Sequence, residues 1–422
     1  MLSRTTAAEA LANLGAFDTL IDARSPAEYA LDHLPGAVNW PTLNDDERRI
    51  VGTEYKQVSA FEAQKRGAAM VARNIAAHIE REVMGKPKGW APLVYCWRGG
   101  KRSGSLATVL AQIGFNVQVL DGGYQAWRRA VVAELGELPS KLQYRVVCGS
   151  TGSGKSRLLQ VLREQGAQVL DLEALANHRG SVLGLVPGSP QPTQKQFDSR
   201  VWSALRSFDA ARVVFVESES KKIGDLRVPQ ALIESMRASP CIMFDLALDA
   251  RVALLLEDYD FFVTDTEAFC ARLDALRALR GNEVVNAWQL AARGRQTAGV
   301  VRDLLVAHYD PIYAQSMQRN FADLAAPHLE LNWDGSSASL ASAARQAMAA
   351  GYAQAAPREN HRGFTAEFWR YQSLSVVRKT CLYSAQLHPT ASTPFLYGEA
   401  FSLASPHVQP TVDREVGPGR EA

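Results

Sequence analysis

Residues 144–156 read Tyr144-Arg145-Val146-Val147-Cys148-Gly149-Ser150-Thr151-Gly152-Ser153-Gly154-Lys155-Ser156. The first five predict a short buried strand. The next eight match G-x-x-x-x-G-K-[ST] in full, and a helix is predicted to follow. Strand, glycine-rich turn and helix in that order make an anion cradle. Backbone N–H groups of the turn converge, the helix N-terminus carries partial positive charge, and Lys155 adds a full one. Ser156 can contact a metal ion held on the phosphates, so magnesium is compatible with the site. Gly149, Ser150, Thr151, Gly152, Ser153, Gly154, Lys155 and Ser156 are therefore candidate binding residues. An ATPase is the obvious reading of this cradle, and a pyrophosphate-bearing substrate would fit it as well.

Downstream, residues 168–170, 212–216 and 241–245 predict further strands, which with intervening helices make a parallel α/β sheet. Val213-Val214-Phe215-Val216-Glu217 looks like a strand ending in a metal- or water-directed carboxylate. Lys221 and Lys222 follow it, either as a second phosphate contact or as a solvated turn. His178 and Arg179 lie in a loop near the cradle, as substrate contacts or as a plain turn. From residue 249 to about 351 the pattern turns helical and rich in Ala, Leu and Arg. Residues 360–422 are rich in Ser, Pro, Thr and Gly and are expected to be poorly ordered.

Upstream, residues 134–142 read as a polar connector containing Pro139. Before it, short strands and helices alternate again: a strand ending Leu20-Ile21-Asp22, a helix start at Ser25-Pro26-Ala27-Glu28, a long amphipathic helix over 60–84, a strand 92–95, a helix 103–113 and a strand 117–120. The expected division is an α/β domain over 1–138, a P-loop α/β domain over 139–248, a helical region over 249–358 and a tail over 359–422. No internal repeat is evident.

The 422 residues exceed what one ordinary core holds. No stretch approaches the roughly 20 apolar residues of a membrane span, and Met1-Leu2-Ser3-Arg4 opens no secretory pattern, so a soluble, cytoplasmic protein is expected. The five cysteines lack C-x-x-C spacing, which points away from a disulfide framework and from a cysteine-built metal site. A net charge of +2 neither demands nor excludes nucleic acid.

The second chemically loaded segment is Tyr95-Cys96-Trp97-Arg98-Gly99-Gly100-Lys101-Arg102-Ser103. It places a cysteine at the end of a buried strand just before a helix. Inward-pointing loop amides, the helix N-terminus and the cations Arg98, Lys101 and Arg102 all favour the thiolate and an anionic guest. Cys96, Arg98, Lys101 and Arg102 are candidate catalytic residues, whereas Cys148 and Cys241, within apolar strands, read as structural. A phosphatase and a sulfurtransferase both use such a loop.

The flanking segments separate these two. Ile21-Asp22-Ala23-Arg24-Ser25-Pro26-Ala27-Glu28-Tyr29 with His33-Leu34-Pro35-Gly36-Ala37-Val38-Asn39 resembles the first conserved segment of rhodanese domains, whose Asp and Arg buttress the active loop. Asp121-Gly122-Gly123-Tyr124-Gln125-Ala126-Trp127 resembles the rhodanese closing motif. The loop from Cys96 to Arg102 spans seven residues, one more than in common sulfurtransferases, a wider cradle that suits a phosphate ester or a selenium species. The fold class is thus α/β: a rhodanese-like domain, then a P-loop NTPase-like domain with a helical C-terminal region.

This fusion resembles the tRNA 2-selenouridine synthase family over residues 10–350. Further segments carry the resemblance: Gly52-Thr53-Glu54-Tyr55-Lys56-Gln57, Asp171 through Ser181, Gln191-Pro192-Thr193-Gln194-Lys195-Gln196-Phe197, Glu217 through Gly224, and His308-Tyr309-Asp310-Pro311. The resemblance implies conversion of 2-thiouridine to 2-selenouridine at wobble position 34 of the tRNAs for Lys, Glu and Gln. Geranyl diphosphate first alkylates the sulfur, and selenophosphate then supplies selenium that displaces the geranylthio group. On that reading Cys96 accepts selenium as a perselenide, Arg98, Lys101 and Arg102 hold the phosphate, and the P-loop cradles the diphosphate. No resident cofactor and no metal-ligand residue are implied firmly.

Candidate tRNA-backbone contacts are Lys221, Lys222, Arg227, Arg277, Arg280, Arg293, Arg295 and Arg302, with a solvated face as the alternative. Trp97, Trp202 and Trp288 are candidates for stacking an extruded base, or for core positions. The first rival reading is an ATP-dependent tRNA sulfurtransferase using a Cys96 persulfide. The second is a phosphatase or phosphate-recognition module, disfavoured because Tyr95 precedes Cys96 and no general acid is placed nearby.

Overall fold

A computed structural model describes residues 1–180, 184–185, 188–260, 264–321 and 327–352. The expectation of a poorly ordered tail over 359–422 falls outside them. The first sheet takes its five strands from the N-terminal third: β1 (Leu2–Thr5), β2 (Thr19–Asp22), β3 (Val38–Asn39), β4 (Pro92–Tyr95) and β5 (Val117–Leu120). Their order is β1-β5-β4-β2-β3 and every pairing is parallel, as strands joined by helical crossovers require. β4 is central and wholly buried, so its run Pro-Leu-Val-Tyr is apolar throughout instead of alternating. The long helix expected over 60–84 is Ala60–His78 continued by a π-helical turn, Ile79–Val83. It packs Ile75 and Val83 against Trp40, Trp90 and Leu106 in the core beneath this sheet.

The connector expected at 134–142 is instead helical. Helix Gly123–Glu137 runs into a 3-10 turn, Leu138–Lys141, with Leu135 and Pro139 buried. The reason is tertiary: helix Gln194–Ser207 from the second half lies against it. Trp202 meets Trp127 edge-on at 6.1 Å, and its indole N–H donates to Glu134, which also receives Arg206. Such an aromatic pair contributes about 0.5–1.5 kcal/mol beyond its buried area.

The second sheet contains β6 (Gln143–Cys148), β7 (Gln168–Leu170), β8 (Val213–Glu217), β11 (Cys241–Leu246) and β12 (Leu329–Trp333), in the order β12-β11-β6-β8-β7, again all parallel. A small antiparallel ribbon, β9 (Lys222–Ile223) with β10 (Leu226–Arg227), projects after β8. The region from 249 is helical over most of its length, but β12 was not anticipated. Its alternation turns Leu331 and Trp333 inward, and it pairs with β11 over five residues. Helix Ser337–Tyr352 then returns onto the sheet through Ala343, Ala344 and Ala347. The remaining helices form their own small core around Phe269, Leu273, Trp288 and Leu304. Among the described residues no helix is long and apolar enough to cross a membrane.

Candidate active sites

Both chemical loops leave the carboxyl end of a central strand, where open parallel sheets place their ligands. Cys96 ends β4, and its buried setting is built from below. Arg24, 1% exposed, grips Asp22 through Nε and Nη2, the shortest contact being 2.6 Å, and donates from Nη2 to the Asp32 carbonyl. Its guanidinium lies 4.0 Å from the Tyr124 ring centre. Burial opposes the charge on Arg24, but Asp22 outweighs it and holds the guanidinium above its ordinary value. The expected Asp and Arg buttress is therefore in place.

The closing motif fastens the loop from the other side. The Tyr124 and Gln125 N–H groups donate to the carbonyls of Cys96 and Trp97 at 2.8 and 3.1 Å. Gly123 has φ +54°, and a Cβ there would lie 2.2 Å from the Cys96 carbonyl oxygen, so only glycine permits this approach. Cys96 is 3% exposed, and the buried Ser103 hydroxyl donates to its Sγ at 3.1 Å. Ser103 stands in the first turn of helix Lys101–Ile113, so the thiol faces that helix N-terminus.

The three expected cations divide. Arg102 is held by Glu28, at 2.6 and 3.3 Å, and Arg48 also reaches Glu28 at 3.1 Å. Burial would raise the Glu28 carboxyl, but Arg102 and Arg48 outweigh it and hold it below the usual range. In this conformation Arg102 is thus a paired, half-buried strut. Arg98 and Lys101 are exposed and take part in no ion pair among the described residues. Sequence reasoning singled out Glu28 as a helix-start residue: its Oε2 does accept the Ser25 N–H at 3.2 Å, but its pairing with Arg102 depends on the fold.

The second loop ends β6 and leads into helix Lys155–Glu164. Gly154 has φ +85°, and a Cβ on it would strike the Trp333 ring at 2.4 Å, so β12 presses directly on the loop. Lys155 Nζ turns back onto the Gly149 and Ser150 carbonyls at 2.7 and 3.3 Å and lies 5.4 Å from the Tyr313 ring centre. Burial lowers its affinity for a proton, and surrounding carboxylates oppose that effect.

Residues absent from the sequence reading complete this site. Tyr313 Oη accepts the Gly149 N–H at 2.8 Å and lies 3.0 Å from Ser218 Oγ. Arg251, 6% exposed, donates to the Thr151 carbonyl at 2.7 and 2.9 Å and pairs with Asp310 at 2.6 Å. The segment His308-Tyr309-Asp310-Pro311 was the available signal for that last contact. Ser156 Oγ donates to Glu173 Oε2 at 3.2 Å, and the Glu173 N–H donates to Glu217. Desolvation raises Glu173, Glu217 and Glu219 alike, Glu219 to about 8.

The loop opens into a cleft of about 1330 Å³. Its lining includes residues 151–156 with Glu173 and Glu219, and the apolar and aromatic side chains of Leu254, Leu255, Tyr309, Ile312, Met317 and Phe321. Leu254 and Leu255 lie against the loop itself, next to Gly154 and Gly152. His178 and Arg179 both reach this cleft. Of the candidate stacking residues, Trp202 and Trp288 are core, and only Trp97 is half-exposed, stacked on Tyr124 at 5.4 Å. The helical arginines are largely spent within the protein: Arg277 on Asp274, Arg280 on His308, Arg293 on Glu267 and Arg302 on Asp249.

Known proteins share these features. A family model described as the tRNA 2-selenouridine synthase AAA domain matches residues 142–283, and the Rhodanese-like domain model matches residues 6–130. Three curated relatives carry the name tRNA 2-selenouridine synthase. That from Alcanivorax borkumensis is 36% identical, over 57% of this chain and 66% of its own length. That from Nitrosomonas europaea is 36% identical, over 57% and 63%. That from Marinobacter nauticus is 32% identical, over 70% of this chain and 87% of its own. The match thus spans slightly under two thirds of the first two relatives and most of the third.

Proposed function

Because this chain belongs to the tRNA 2-selenouridine synthase family, we propose that it converts 2-thiouridine at wobble position 34 of the tRNAs for Lys, Glu and Gln to 2-selenouridine. In the first step the thiocarbonyl sulfur attacks geranyl diphosphate: a C–S bond forms, the C–O bond breaks, and diphosphate leaves. Alkylation turns a poor leaving group into a neutral, better one. In the second step the selenium of selenophosphate, at the Cys96 loop, attacks C2 of the base. A C–Se bond forms as the C–S bond breaks and the geranyl thiolate leaves, and water then cleaves the P–Se bond to release phosphate.

The observation that carries the first step is a cleft lined both by the P-loop and by apolar side chains. A prenyl diphosphate presents a dense anion joined to a hydrocarbon chain. The loop Gly149–Ser156 with Lys155 suits the one, and the apolar lining of Leu254, Leu255, Ile312, Met317 and Phe321 suits the other. A magnesium ion on the diphosphate would meet the Ser156 hydroxyl beside Glu173 and would neutralise the leaving group. The second step is assigned to the other sheet, where Cys96 faces a helix N-terminus with Arg98 and Lys101 free to meet phosphate. Free cysteines among the described residues and a tRNA substrate fit a cytoplasmic setting.

The test is mass spectrometry of nucleosides from thiolated tRNA incubated with geranyl diphosphate and selenophosphate, with and without ATP. Lys155→Ala is expected to yield no geranylated nucleoside. Cys96→Ser is expected to accumulate it without selenation. A strict ATP requirement with no need for geranyl diphosphate would replace this reading with the persulfide-based sulfurtransferase.

A further inference from the structure

Two reaction centres on two sheets must act on one base, and exposed cations lie on the segments that connect them. We propose that six exposed cations, Arg98, Lys101, Lys195, Arg227, Lys222 and Lys221, form a track for the sugar-phosphate backbone of a tRNA, running from the Cys96 loop to the mouth of the P-loop cleft. The proposal rests on the functional reading above for the identity of its occupant.

Continuity of the track follows from hydrogen bonds. The Cys96 loop is tied to helix Gly123–Glu137 through Tyr124 and Gln125. One turn on, Arg128 donates to the Lys195 carbonyl at 3.2 Å, and Thr193 Oγ1 donates to the Leu31 carbonyl, so the start of helix Gln194–Ser207 abuts the rhodanese-like half. The neighbouring Gln194 side chain is bonded twice to the Arg227 backbone, at 2.8 Å each way. Arg227 lies opposite Lys222 in the ribbon, and Lys221 accepts the Val228 N–H at 3.1 Å. Residues 218–220, immediately before Lys221, line the cleft.

Charge argues for a polyanion. All six side chains are exposed, and none takes part in an ion pair among the described residues. Of the helical candidates, Arg277, Arg280, Arg293 and Arg302 have protein partners. Two acids on the same segments are engaged elsewhere: Asp198 binds Arg128, and Asp32 accepts the Tyr124 and Ser199 hydroxyls. Unpaired surface cations in sequence-distant segments gain most from a partner that releases counterions along its length. Trp97, half-exposed at one end of the track, offers a ring to a splayed base.

The test is equilibrium binding of a tRNA(Lys) transcript to the full chain over a range of salt concentrations. The wild type is compared with Lys195→Ala/Lys222→Ala/Arg227→Ala and with a charge-matched control, Arg66→Ala/Arg293→Ala/Arg302→Ala, drawn from paired arginines. The track variant is expected to bind at least tenfold more weakly, with a log–log salt slope shallower by about 2 to 3, the loss of three phosphate contacts. The control is expected to keep the wild-type slope, and unchanged thermal melting of both variants shows that they fold. Equal affinity and slope in the track variant and the wild type overturn the proposal and leave the strip to an acidic protein partner. Binding needs no turnover, so it decides on the track whether or not the enzyme converts 2-thiouridine.

Discussion

The Ser103 hydroxyl donates to Cys96 Sγ at 3.1 Å, with both residues buried at the N-terminus of one helix. A donor seven residues along the chain from the thiol holds it toward the helix amides and stabilises negative charge on sulfur. Ser103→Ala removes a hydrogen bond worth about 1 kcal/mol, or about fivefold. Carboxymethylation of Cys96 at neutral pH is expected to slow by that factor, and the selenation step with it, while geranylation holds its rate. Ser103→Thr keeps the donor and is expected to restore both. If alanine and threonine behave alike, the hydroxyl has no electrostatic role.

Glu28 and Arg102 form the strut beside this loop, and its pH dependence has a definite sign. The Glu28 carboxyl is held below its ordinary range, so its contribution is full above about 4.3, the unfolded value, and is lost as pH falls through the folded value. Glu28→Gln is therefore expected to lower the urea midpoint at pH 7. The gap to the wild type should close as both are taken to acid. A gap that stays constant to pH 3 would mean the pair contributes packing and not charge.

Near the P-loop the sign reverses. Burial raises Glu219 to about 8, so its charge beside Lys155 is incomplete near neutrality and grows as the pH rises. Raising the pH through 8 ionises it, which disfavours a neighbouring diphosphate. KM for geranyl diphosphate is expected to climb severalfold between pH 7 and 9, with kcat less affected. Glu219→Gln should flatten that climb. A profile identical in the variant would remove Glu219 from the cause.

Arg251 straps the loop by holding the Thr151 carbonyl and Asp310 together. Its removal leaves a carbonyl and a partly buried carboxylate unpaired, a loss of about 3–5 kcal/mol for a buried pair. Arg251→Ala is expected to lower the denaturation midpoint and to raise KM for the diphosphate donor. Arg251→Lys should not rescue it, because one ammonium cannot span both acceptors as the guanidinium fork does. Full rescue by lysine would mean that charge alone matters.

Much of this protein was legible locally. Strand 92–95, strand 117–120 and strand 168–170 lie where short apolar runs between turn residues predicted them. Both chemical loops announced themselves because their glycines and cations are adjacent in the chain. The buttress of Asp22 and Arg24 was legible through the resemblance to rhodanese domains, which implied it, and the two side chains do meet.

What the sequence determined by itself, then, is the pair of α/β halves and the position of the two anion-binding loops, since turn geometry and strand periodicity act over a few residues. Tertiary structure alone decided how that chemistry is set. It assigned Arg102 to a carboxylate 74 residues away and placed Tyr313 on Gly149 across 164 residues. It also drew β12 out of an otherwise helical region to press Trp333 against Gly154. Local propensity holds no record of such partners. Which cations are paired, and which stay free for a substrate, depends on what the fold brings within reach.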